Sequence, residues 1–104
     1  MTQLRKDIRN NWAAEDNVEL ENDRVLEIRT MKVSDGTIVT RATVNVRDGS
    51  FMSHRMFHDF SQRLMTSQNR CTEKNVAAQH AEAMTKKAEL LEAVAAWYKE
   101  KEPA

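Results

Sequence analysis

Apolar and polar residues alternate most cleanly in the middle of the chain. Ile38, Thr40, Ala42, Val44 and Val46 fall on one parity, and Val39, Arg41, Thr43, Asn45 and Arg47 on the other. A period of two marks a strand with one buried and one open face. The pairs Asp35-Gly36 and Asp48-Gly49 bracket this stretch and hold the only two glycines in the sequence. Glycine reaches positive φ without a steric penalty, so the pattern predicts two hairpins and an antiparallel meander over residues 24–57.

Turn length then sets the register. A two-residue turn at Asp35-Gly36 places Val44 opposite Glu27 and Ala42 opposite Arg29. A three-residue turn, Ser34 to Gly36 with Gly36 left-handed, places Val44 opposite Leu26 and Ala42 opposite Ile28. Charges opposite a core strand are costly to bury, so the longer turn is favoured. The same argument at Asp48-Gly49 sets Met52 opposite Val44 and Met56 opposite Thr40. The predicted buried face is Leu26, Ile28, Ile38, Ala42, Val44, Val46, Met52 and Met56.

On either side the period reads as helical. Leu4, Ile8 and Trp12 recur at i, i+4 and i+8, predicting a short N-terminal helix over 3–14 with Thr2 as its cap. Residues 15–23 carry five acids and no base, with Val18 and Leu20 alternating among them. That run reads either as an extra strand or as a solvated loop. Phe60, Leu64 and Met65 predict a helix over 57–68, followed by a polar connector. From a Thr72 N-cap, a long helix runs to about Lys99 on a stripe of Ala77, Ala81, Met84, Ala88, Leu91, Ala95 and Tyr98. The expected fold is α+β in one domain: residues 1–23 a helix and acidic segment, 24–57 a three-stranded (or four-stranded) meander, 58–102 two helices.

Composition narrows the class. Sixteen basic residues balance sixteen acidic ones over 104 residues, so no overall field favours nucleic acid or a membrane surface. A single cysteine, Cys71, permits no internal disulfide and suits a reducing cytoplasm. No apolar run approaches the roughly 20 residues of a membrane span, and the first residues lack the apolar core of a leader. A soluble cytoplasmic protein is expected.

The derived register has a consequence on the open face. Arg29, Arg41 and Arg55 line up across three strands, flanked by Met31, Val39 and Phe57, with Phe51 beyond. Like charges directly across a sheet repel, and guanidinium forks suit carboxylate or phosphate. Ordinary solvated arginines would look the same in sequence. Over residues 24–63, seven basic residues against four acidic ones leave +3, well short of a dedicated DNA binder.

A helix of about 27 residues is roughly 40 Å long and outruns strands of about 25–30 Å. Its end, Leu90, Leu91, Val94, Trp97 and Tyr98, is therefore the expected homodimer contact, against the plainer reading that these residues are core. His54, His58, Cys71 and His80 show no metal-ligand spacing, no serine sits in a nucleophile elbow, and both glycines are spent on turns. No cofactor, metal or catalytic residue is expected. The sequence points to a non-enzymatic interaction module of the accessory, adaptor or inhibitor kind found in bacteria and phages, taking an acidic protein partner. The alternative is a nucleic-acid-binding domain using the same arginines.

Overall fold

The computed structural model describes residues 2–21, 23–46 and 58–101. It is an α+β fold with five strands and two helices: β1 (Gln3–Lys6), β2 (Trp12–Glu19), β3 (Arg24–Lys32), β4 (Ile38–Val46), β5 (His58–Ser67), α1 (Glu73–Met84) and α2 (Lys87–Lys101). The strands form one antiparallel sheet in chain order, β1-β2-β3-β4-β5.

The central hairpin has the derived register. Leu26 pairs with Val44, Ile28 with Ala42 and Arg29 with Arg41. Gly36 sits at φ 89° and its N–H donates to the Val33 carbonyl, closing the three-residue turn. Leu26, Ile28, Ile38, Ala42 and Val44 are all buried. The second Asp-Gly turn, Met52, Met56 and the side chain of Val46 lie outside the described residues.

Two predicted helices are strands. Residues 3–14 form the β1–β2 hairpin, because Asp7, Asn10 and Asn11 supply a turn where a helix would need its middle. The Asp7 carboxylate accepts from the N–H groups of Arg9 and Asn11, and Asn10 takes φ 65°. Asn and Asp stabilise such turns and tolerate left-handed backbone. The acidic run continues as β2, with Ala14, Asp16 and Val18 on its inner parity. Residues 58–67 are not helical either: β5 pairs with β4, setting Phe60 rather than Met52 against Val44 and Met65 rather than Met56 against Thr40. The register slips by one between Thr40 and Arg41, which lets Leu64 also pack on the core. That bulge hides the alternation in the sequence.

The long helix is broken. Thr72 caps α1 as predicted, accepting from the Asn75 N–H. At the other end the Thr85 hydroxyl donates to the Glu82 carbonyl at 2.6 Å, and the Lys86 N–H shifts to Ala83. A threonine hydroxyl that captures a nearby carbonyl competes with the helical ladder. The buried stripe is Val76, His80, Ala83, Leu90 and Val94 rather than the alanine line, and Ala81, Ala88 and Ala95 are exposed.

Both helices cover one sheet face. Leu90 and Val94 join Leu26, Ile28, Ala42, Val44 and Phe60 in the main core cluster, with Leu91, Trp97 and Tyr98 against it. Trp97 meets Phe60 edge to face at 6.1 Å, and Arg24 lies over the Tyr98 ring at 4.4 Å. The residues expected to form a dimer contact are thus packed within a single chain, and with the helix broken at Thr85–Lys86 the overhang argument goes too. A smaller cluster, Ala14, Ile38 and Val76, closes the other end with Leu4, Trp12 and Cys71.

Candidate functional site

The open face carries the arginines. Across it run Gln3, Glu15, Arg29, Arg41 and Arg63, one from each strand, in register. The third arginine of the row is therefore Arg63, not Arg55. The partner of β4 begins at His58, so Arg55, Phe51 and Phe57 lie outside the described residues.

The three arginines are not equivalent. Arg29 is held by two acids: Glu15 at 2.5 Å and Glu27 at 2.6 Å. Partial burial pushes the Arg29 guanidinium down, but these carboxylates outweigh it and hold the group above its ordinary value. Burial likewise pushes Glu15 up, and the Arg29 hydrogen bond helps to bring it below the usual carboxylate range. No hydrogen bond or ion pair with another described residue engages Arg41. Arg63, also exposed, is close enough to Asp35 for its charge to be felt there. Among the described residues Arg41 and Arg63 thus stand side by side on β4 and β5, while Arg29 is paired with acids of β2 and β3.

Apolar flanks are fewer than the sequence suggests. Val39 is 4% exposed and offers almost no contact surface, whereas Met31 and Val25 are half-buried. Beside the row, a hollow of about 360 Å³ opens between β1, β2 and β3. Arg5, Ile8, Ala13, Glu15, Arg29 and Met31 line it, and Ile8 at the hairpin turn is fully exposed. Sequence reasoning missed this hollow because it read residues 3–14 as a helix.

A second constellation lies beneath the sheet. Asp16 Oδ2 is 2.7 Å from His80 Nε2, and His80 Nδ1 is 2.8 Å from Thr30 Oγ1. Thr30 Oγ1 meets Thr40 Oγ1 at 2.7 Å, and Gln79 donates to Thr40 Oγ1 and to the Ile38 carbonyl. Ser67 donates to Gln79 Oε1, and Thr2 donates to Asp16. Each of β2, β3, β4 and β5 contributes one polar side chain, and α1 ties them together through His80 and Gln79.

Acid, imidazole and hydroxyl in this order resemble the groups of a nucleophilic triad. Thr30 and Thr40 have no exposed surface and His80 is 1% exposed, so no substrate reaches the hydroxyl in this arrangement. Every hydrogen bond is instead accounted for by a structural role. With Gln79 donating to Thr40, Thr40 to Thr30, Thr30 to Nδ1 and Nε2–H to Asp16, all donors point toward the carboxylate. Among the described residues no buried side-chain polar atom lacks a partner. His80 is a buried histidine with both ring nitrogens hydrogen-bonded.

Among the described residues no group of three His, Cys, Asp or Glu side chains could hold a metal ion, and no helix is long and apolar enough to cross a membrane. No family model, curated protein or solved structure matches the chain.

Proposed function

We propose that this chain is a non-enzymatic interaction module whose open sheet face docks an acidic surface of a partner protein. The observation that carries this reading is the adjacent pair Arg41 and Arg63, exposed, in register and, among the described residues, without the acids that neutralise Arg29. Guanidinium forks take carboxylates in bidentate fashion, and a like-charged pair kept side by side gains most when an anion bridges it. Glu15 and Glu27 on the same face oppose a continuous polyphosphate track, which favours a protein over a nucleic acid.

Titration of fluorescent poly-glutamate, duplex DNA and single-stranded DNA at two ionic strengths tests the proposal. The acidic polypeptide is expected to bind wild-type protein and to be lost with Arg41→Glu/Arg63→Glu. Tighter binding of either DNA, with a steep salt slope, transfers the face to nucleic acid. Absence of binding to all three at low salt removes the docking role.

A further inference from the structure

We infer that the partner presents an extended segment lying across the strands, with an acidic side chain on Arg41 and Arg63 and an aromatic side chain four residues away in the hollow beside Ile8 and Met31. The inference rests on the docking reading and specifies its ligand. Its basis is the juxtaposition, on one face, of a positive pair and a cavity of about 360 Å³. That volume lies at the low end of ligand sites and suits one large side chain.

The lining combines the apolar Ile8, Ala13 and Met31 with the cations Arg5, Lys6 and Arg29, the last already paired with Glu15. Apolar contact together with cations suits an aromatic ring. A flat ring packs one face on Ala and Met and offers the other to the guanidinium of Arg5 or Arg29. Aromatic anchors seated in such pockets dominate interface energetics.

Strand geometry sets the spacing. Neighbouring strands lie about 4.8 Å apart, so the midpoint of β4 and β5 is roughly 12 Å from β2, where the hollow is centred. An extended chain covers that distance in about four residues at ~3.3 Å each. Side chains at i and i+4 of an extended chain also point the same way, so both reach the sheet together. At i+3 the second side chain points into solvent.

Anisotropy titrations of labelled peptides test this, using glutamate and tryptophan four apart in either order, the same residues three apart, and alanine for tryptophan. The four-residue spacing is expected to bind about tenfold tighter than the alanine peptide. Filling the hollow with Ala13→Phe should abolish that gain and leave the alanine peptide unaffected. Equal affinity for three- and four-residue spacings, or an unchanged gain in Ala13→Phe, overturns the aromatic seat while the docking reading stands. Binding of every peptide that survives Arg41→Ala/Arg63→Ala, or no binding by any peptide at low salt, overturns the docking reading itself.

Discussion

Arg29 and Arg41 face each other across β3 and β4, yet only Arg29 is held by acids among the described residues. The difference follows from strand order. Arg29 has Glu15 beside it on β2, whereas the neighbour of Arg41 on the far side is another arginine, Arg63. All three lie on the open face, but only Arg29 has acids of its own sheet beside it among the described residues.

The two sides of this pair should therefore respond oppositely to truncation. Arg41→Ala relieves repulsion from Arg63 and should hold stability or raise it by about 0.5 kcal/mol. Arg29→Ala leaves Glu15 and Glu27 facing each other and should lower stability by about 0.5 kcal/mol or more. Urea unfolding of both variants measures the contrast. Equal destabilisation would mean that Arg41 is engaged in the fold as Arg29 is.

Gly36 offers a test of the turn that fixes the register. It sits at φ 89° with no heavy atom within 4 Å of where a Cβ would stand, so any penalty comes from the backbone and not from a clash. Gly36→Ala should cost about 1 kcal/mol, and Gly36→Asn less, because asparagine tolerates the left-handed region better. Thermal unfolding of the two variants ranks them, and an alanine variant as stable as wild type would contradict the G1-bulge geometry.

That turn also marks how far the sequence could be read. Between Arg24 and Val46 the alternation is long and Gly36 forces one turn, so burial and register both follow from parity. Leu4, Ile8 and Trp12 are a poorer guide because positions four apart share a face in a strand as well as in a helix. Asp7, Asn10 and Asn11 decide between the two, because they favour a turn over a helix interior. Phe60 and Leu64 raise the same ambiguity, and the bulge opposite Arg41 removes the alternation that would have resolved it. Thr30 and Thr40 pair in the derived register at core parity, which was a readable sign of a buried polar contact. Its partners His80 and Gln79 were not readable, because the phase of α1 against the sheet depends on packing.

The threonine pair carries a prediction of its own. Thr40→Val keeps the shape but removes both the acceptor for Gln79 and the donor to Thr30. Leaving buried partners unsatisfied costs about 1–3 kcal/mol. The double variant Thr30→Val/Thr40→Val should cost less than the sum of the single changes, since each single variant already breaks the same chain. Additive effects in denaturant unfolding would show that the two hydroxyls act independently.

Asp16 closes that chain, and its ionisation ties stability to pH. Burial alone would push its carboxyl up, but the hydrogen bonds from Thr2 and His80 hold it below the ordinary value. A carboxyl lowered by folding binds fewer protons in the folded than in the unfolded state around its ordinary value of about 4. Its contribution is therefore fully present above that pH and is lost as pH falls through the lower folded value. Asp16→Asn keeps an acceptor for His80 but cannot ionise, so its stability should fall less steeply between about pH 5 and pH 2 than that of wild type. Asp16→Ala strands the His80 N–H in a site that is 1% exposed and should cost about 3 kcal/mol near neutral pH. Unfolding free energies across that acid range for the three proteins provide the check. Parallel curves for wild type and Asp16→Asn would mean that the buried carboxylate contributes nothing to the acid sensitivity of the fold.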